Sequence, residues 1–175
     1  MNITDIYTSK KLETIIPVSL IKTESTIKRN PFEKWNATVF FISRKKCLLV
    51  TNSITRYSLI LSGLTKSDLE NLSEIFINTF IDQLETEEIL FNELELRVLI
   101  GKIALHKTDN DRTIIGNQNY ILRYIDNWKD EFGSFENWDF RNINKRINRV
   151  PYKQLGWLFP KERMKILLEE IKASA

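Results

Sequence analysis

The chain has 175 residues, enough for one domain with a substantial core, and its 42% hydrophobic and 28% charged content is ordinary for a soluble globular protein. Five glycines and four prolines argue against a low-complexity chain, and a single cysteine excludes an internal disulfide and a Cys-rich zinc site. The formal charge of +3 does not by itself indicate a nucleic-acid binder.

The first part of the chain predicts a strand, a short helix and a polar loop. Residues 3–8 have the apolar content of a short strand. A short helix follows and must end near Pro17, because the residue before a proline avoids helical backbone angles. Residues 22–34 are polar and basic, and they are predicted as a loop that the turn signal Asn30-Pro31 closes.

The centre of the sheet is predicted from three apolar runs at 39–42, 47–50 and 59–61, separated by short polar links. Their β-branched and aromatic content favours strands, although periodicity alone leaves a buried helix open. The first two runs do not alternate cleanly, which indicates strands covered on both faces. The links are too short for parallel crossovers and predict an antiparallel meander. Cys47, inside the second run, is interpreted as a small buried hydrophobe rather than a reactive thiol.

Helical periodicity dominates the rest of the chain. Thr65 and Asp68 predict a capping box, and Glu87 and Glu88 are assigned to the first turn of the following helix. The predicted helices cover residues 66–84, 86–101, 112–128, 139–149 and 160–172. A strand at 103–108 interrupts them. The whole of 1–175 is therefore predicted as a single α+β domain, with an antiparallel sheet of about four or five strands and helices packed on it.

Three patches of the sequence carry a characteristic order of residues. The first consists of Asn30-Pro31, Trp35, Ala37, Arg44-Lys45, Cys47, Asn52, Thr55-Arg56-Tyr57, Gly63-Leu64, Lys66 and Asp68. The others consist of Arg112, Ile114-Ile115-Gly116 and Asn119, and of Asn148, Pro151 and Pro160. This pattern resembles a family of small bacterial proteins described as a domain of unknown function, with a departure at Gln118, where the pattern has Met. The resemblance implies a shared site or architecture and brings no activity, cofactor or catalytic residue.

A first candidate binding site consists of polar residues from the strand links and the helix after the last strand. Its members are Asn52, Thr55, Arg56, Arg112 and Asn119. Loops between strands often carry binding residues, and two guanidinium groups can hold a phosphate or carboxylate through paired hydrogen bonds. The alternative is structural: Asn52 and Thr55 satisfy the backbone of a turn, and Arg56 pairs with an acid.

Charge is unevenly distributed along the chain. Residues 22–56 and 139–165 each contain eight Lys or Arg and two acids, whereas residues 68–97 contain nine acids and one Arg. Arg141, Lys145 and Arg149 recur every four residues and are the candidate nucleic-acid contacts, because a basic helix face can follow a phosphate backbone. The alternatives are a solvated helix face, or a protein partner that binds the acidic helices.

The only histidine, His106, lies beside a turn that contains Asp109 and Asp111. A histidine near carboxylates can transfer protons, but one histidine and two turn acids fall short of a metal site, and Asp is common in turns for local reasons. The tryptophans are interpreted as packing residues, and a base-stacking role would require Trp35 or Trp157 to be exposed.

Neither a phosphate-binding glycine loop nor a recognisable catalytic motif is present in the sequence. The favoured hypothesis is a non-catalytic binding module for a protein or a nucleic acid, with no cofactor and no metal. The alternative is a phosphate-directed enzyme, such as a metal-independent nuclease, that uses Arg56, Arg112 and His106. No apolar run approaches the ~20 residues of a membrane span and no signal peptide is evident, so a cytoplasmic protein is expected. The oligomeric state stays open.

Overall fold

The computed structural model describes residues 2–23 and 30–175, and residues 24–29 of the predicted polar loop lie outside this part of the chain. The strands are β1 Ile3–Thr8, β2 Lys34–Ile42, β3 Lys45–Asn52, β4 Ser58–Leu61 and β5 Lys102–His106. The helices are α1 Lys10–Glu13, α2 Lys66–Glu70, α3 Leu72–Thr86, α4 Glu93–Ile100, α5 Arg112–Phe132, α6 Phe140–Ile147 and α7 Pro160–Ala173. Short 3₁₀ turns lie at Val18–Leu20, Phe135–Asn137 and Lys153–Leu155.

The sheet is mixed, with the strand order β4-β3-β2-β1-β5. The meander of β2, β3 and β4 is antiparallel as predicted, but the prediction of a wholly antiparallel sheet is wrong, because β1 runs parallel to both β2 and β5. Long segments that contain helices precede β2 and β5, and such segments permit parallel pairing. Ile21 adds an isolated parallel bridge to Leu105, so six segments build the sheet, more than the four or five predicted.

Helices cover both faces of the sheet, as the apolar runs indicated. On the first face, α2, α3, α4 and α7 pack around Trp35, whose ring meets those of Phe76 and Phe80 edge-on at centroid distances of 5.0 and 5.5 Å. On the second face, α5 and α6 cover the apolar side chains of β2, β3 and β4. Cys47 is fully buried in this second cluster, as predicted, and burial raises the pKa of its thiol.

Several helix boundaries differ from the predicted ones: α5 continues to Phe132 rather than ending at residue 128, and α6 covers only Phe140–Ile147 of the predicted 139–149. Asn71 interrupts the predicted helix 66–84, and the capping box of Thr65 and Asp68 starts only the five-residue α2. Glu87 ends α3 instead of starting the next helix. The true start of α4 is set by Asn92, whose side-chain oxygen accepts a hydrogen bond of 3.1 Å from the backbone N–H of Glu95.

Candidate functional site

Two of the predicted binding residues hold the turn between β3 and β4. The buried side-chain oxygen of Asn52 accepts hydrogen bonds from the backbone N–H groups of Ile54 and Thr55 at 3.1 and 3.0 Å, and from the Thr55 hydroxyl at 3.0 Å. Its amide nitrogen donates to the carbonyl of Phe32 at 2.8 Å. Asn52 and Thr55 therefore have the structural role that the sequence left open, because they satisfy backbone groups that water cannot reach.

The three other predicted residues lie on and near α5. Arg56 has a left-handed backbone with φ 59°, is half-buried, and donates a hydrogen bond to the carbonyl of Ser53. Burial lowers its pKa, although the negative charge of nearby Asp111 opposes this effect. Asp111 caps the start of α5, so its electrostatic effect on Arg56 places Arg56 near that end of the helix, where Arg112 is exposed. Asn119 is exposed on α5, two turns further along.

A polar cluster at the start of α5 was only partly anticipated. Lys34 forms ion pairs with Asp109 and with Asp111, the latter at 2.8 Å. Burial alone would lower the pKa of Lys34, but its hydrogen bonds to the two acids raise it overall. The same contacts lower the pKa of Asp111 against the opposing effect of burial. The side-chain amide of Asn36 donates to Asp109 at 2.9 Å, and the cluster thus attaches α5 to β2.

His106 does not join the two turn acids beside which the sequence placed it. Its Nε2 lies 2.7 Å from Oδ1 of Asp5 on the neighbouring strand, and its ring stacks on that of Tyr7 at a centroid distance of 4.9 Å. The imidazole is buried. An acid–base role would require access to a substrate, and this packing restricts that access. Across residues 2–23 and 30–175, no three His, Cys, Asp or Glu side chains are placed to hold a metal ion.

The basic row of Arg141, Lys145 and Arg149, on α6 and just after it, faces the acidic end of α3. Arg141 makes two hydrogen bonds of 2.7 Å to the carboxylate of Asp82, a bidentate pair. Lys145 and Arg149 lie near enough to Glu87 to lower the pKa of its carboxyl group electrostatically. Part of the positive charge predicted for a phosphate backbone is therefore neutralised within the chain, and a nucleic-acid role for this row stays a prediction.

Glu87 and Tyr57 form a buried pair between the meander and α3, which the sequence did not indicate. The Tyr57 hydroxyl donates to one carboxylate oxygen of Glu87, and the other oxygen is buried without a partner among the described residues. Burial raises the pKa of Glu87 and outweighs the hydrogen bond from Tyr57 and the nearby cations. The pKa of Tyr57 is raised well above its ordinary value, also chiefly by burial.

Because the folded-state pKa of Glu87 is raised, its ionisation opposes folding. The contribution of Glu87 to the free energy of unfolding should be largest below about pH 4.3, the ordinary pKa of Glu. It should be lost as the pH rises through the raised pKa. Glu87→Gln keeps the shape of the side chain and removes its ionisable carboxyl group. Urea unfolding across a pH series should show the variant gaining relative to the wild type as the pH rises, and a difference that does not change with pH would contradict the raised pKa.

A row of aromatic side chains on α5 was not recognised in the sequence. Tyr120, Tyr124 and Trp128 recur every four residues, with ring centroids 5.1 and 6.1 Å apart. The guanidinium of Arg146 on α6 lies 5.7 Å from the centroid of the Trp128 ring. Both tyrosines are exposed. We call Tyr120, Tyr124, Trp128 and Arg146 the aromatic face. Its signal in the sequence is the recurrence of aromatic residues at helical spacing beside basic residues.

Trp157 is 66% exposed, whereas Trp35 is fully buried. Its backbone is left-handed with φ 66°, and its N–H donates to the carbonyl of Tyr152 at 3.0 Å. Burial raises the pKa of Tyr152 to about 12, and the nearby hydroxyl groups of Tyr120 and Tyr124 contribute to this rise electrostatically. A base-stacking role requires Trp35 or Trp157 to be exposed, and Trp157 meets this condition.

These features define a mixed-sheet α+β domain with a polar cluster at the start of α5 and exposed aromatic rings further along the same helix. The model of one family, described as a domain of unknown function (DUF6933), matches residues 5–163, and the chain belongs to that family. No curated protein and no solved structure matches the chain. Within the described part of the chain, no helix is both long and apolar enough to cross a membrane.

Proposed function

We propose that the chain is a non-catalytic binding module that holds single-stranded nucleic acid on its aromatic face. The observation that carries this proposal is the row of Tyr120, Tyr124 and Trp128 beside exposed arginines. Every base has a flat face that can stack on an aromatic ring, so such a row binds unpaired strands with little sequence preference. Base pairs inside a duplex are already stacked and cannot use it in this way.

Positive charge close to the rings supports the same ligand. Arg123 on α5 and Arg146 on α6 are both exposed, and Lys153 follows α6 beside the loop that carries Trp157. These side chains could contact the phosphates between stacked bases. The row of Arg141, Lys145 and Arg149 is less suited to this task, since Arg141 already has a bidentate partner in Asp82.

The enzymatic alternative requires Arg56, Arg112 and His106 to act on one substrate. Arg56 lies near the start of α5, but His106 is buried against Tyr7 and hydrogen-bonded to Asp5. We therefore propose binding without catalysis. The same experiment tests both hypotheses, because cleavage of a labelled strand would be seen alongside its retention.

The test is binding of labelled single-stranded RNA and DNA across a salt series. We expect affinity that falls as salt rises, and an about tenfold or greater loss in Tyr124→Ala, since stacking is worth roughly 1–3 kcal/mol per base. Tyr124→Phe is the matched control, because it keeps the ring and loses only the 3.0 Å hydroxyl contact with Tyr120. No binding at low salt, or equal binding by Tyr124→Ala, would contradict the proposal, and cleavage of the strand would favour the enzyme.

A further inference from the structure

An apolar groove runs between α4 and α7 on the far side of the sheet from the aromatic face. Its volume is about 790 Å³, and its α4 side is formed by Leu90, Leu94 and Val98. These side chains are 92%, 76% and 69% exposed. Leu168 and Ile171 of α7 form the opposite side. We use the name apolar groove for these five residues.

Leu94 and Val98 lie one turn apart on the outer side of α4, and Leu90, in the segment just before the helix, extends their exposed apolar surface. Of the remaining apolar side chains of the same helix, Leu96 and Ile100 are buried in the core beneath and Leu99 is partly buried against it. The helix is therefore apolar on both its inner and its outer side, whereas a solvated surface helix has a polar outer side. Contiguous exposed apolar surface of this kind marks sites of association.

The charges of the groove are arranged to fit a second copy of the same surface. Glu95 lines the α4 side and Lys172 lines the α7 side. Neither forms an ion pair within residues 2–23 and 30–175. A two-fold axis that runs along the groove places the α4 side of each copy on the α7 side of the other, and the same patch is used twice. The side that carries Glu95 then faces the side that carries Lys172 in both halves of the contact.

We propose that two copies of the chain associate through the apolar groove, with α4 of each copy packed on α7 of the other. The exposed side chains of Leu90, Leu94 and Val98 supply the apolar centre of the contact, and Glu95 with Lys172 of the partner subunit fixes its direction. The aromatic face lies on α5 and α6, which cover the other face of the sheet, and it stays accessible in the dimer. The dimer does not depend on what that face binds.

Sedimentation equilibrium of the purified chain over a wide range of concentrations tests the proposal. The mass should rise from 20.7 kDa to twice that value as the concentration increases. Leu94→Glu should stay monomeric with an unchanged circular dichroism spectrum, because it adds a charge to an already exposed position. Val18→Glu is the matched control: Val18 is 84% exposed and does not line the groove, so this variant should dimerise like the wild type.

A charge exchange tests the two-fold arrangement itself. Glu95→Lys alone should weaken the dimer on the order of tenfold, because two attractive pairs become repulsive. Adding Lys172→Glu to the same chain should restore the affinity. A wild-type chain that is monomeric at every concentration, or a dimer that Leu94→Glu leaves intact, would overturn the proposal. A double exchange that fails to recover the loss would overturn the pairing of α4 with α7.

Discussion

Asn148→Ala is expected to lower the free energy of unfolding by about 3 kcal/mol, since it leaves buried backbone groups without partners. The side-chain oxygen of Asn148 accepts a hydrogen bond from the N–H of Ser58 at 2.7 Å, and its amide nitrogen donates to the carbonyl of the same residue at 2.8 Å. Asn148 and Ser58 are both fully buried. Water cannot replace these bonds without opening the contact between α6 and β4.

The reason for this arrangement is that β4 is an edge strand. Within the described part of the chain its outward backbone groups have no neighbouring strand. Asn144 of α6 and Asn148, which caps the end of that helix, take its place, and Asn144 accepts from the N–H of Ile60 at 3.0 Å. Residues four apart on a helix lie about 5–6 Å from each other, close to the spacing of residues two apart on a strand. Two asparagines at this interval therefore match Ser58 and Ile60 and protect the edge from pairing with another chain.

Urea unfolding of three variants would measure the effect. Asn144→Ala removes one bond to the strand and should cost about half as much as Asn148→Ala. Asn142→Ala is the control on the same helix, since Asn142 is exposed and should change the stability by less than about 0.5 kcal/mol. A loss at Asn148 no larger than that at Asn142 would show that the edge groups do not depend on the asparagine amides.

The meander could be predicted from the sequence because its information is local. Apolar runs joined by links of a few residues leave little choice of pairing, and β3 lies between β2 and β4 as expected. The position of β1 could not be predicted in the same way. Its partner β5 is about a hundred residues away, and the pairing of Ile6 with Leu105 leaves no signal in either segment alone.

The site residues show the same limit. The sequence suggests the acids that follow His106 as its partners, but its partner is Asp5, 101 residues away, and Lys34 binds those acids. Local turn chemistry explains why Asp111 caps α5, and that part could be read from the sequence. The partner of a buried ionic side chain depends on the strand order, which the sequence alone did not provide.

The residues that carried the family resemblance prove to be mostly architectural. Asn30 donates to the carbonyls of Ile3 and Leu99 at 3.2 and 3.1 Å and accepts from the N–H of Phe32 at 2.9 Å. Trp35, Asn52, Thr55 and Asn148 are all buried. A pattern of polar residues at fixed positions can therefore record buried backbone hydrogen bonds as readily as a ligand site. The exposed aromatic face lies largely outside this pattern.

Gly101→Ala is expected to be as damaging as the loss of Asn148, by a different mechanism. Gly101 ends α4 with φ 60° and ψ −136°, a conformation essentially restricted to glycine. A β-carbon there would lie 1.9 Å from the carbonyl oxygen of Asn2, which is backbone and cannot rotate away. That same oxygen accepts a hydrogen bond of 3.1 Å from the N–H of Lys102 at the start of β5. We expect a loss of about 3 kcal/mol or more in urea unfolding.

Two other glycines separate the clash from the backbone strain. Gly133 ends α5 at nearly the same angles, φ 69° and ψ −121°, but a β-carbon there would meet no atom within 4 Å. Gly133→Ala should therefore lower the free energy of unfolding only by the backbone strain, about 1–2 kcal/mol. Gly116 lies inside α5 with equally open space, and Gly116→Ala should stabilise the chain by about 0.5–1 kcal/mol. Equal losses at Gly101 and Gly133 would mean that β1 moves aside without cost, and the junction of β1, α4 and β5 would then be far less rigid than its hydrogen bonds imply.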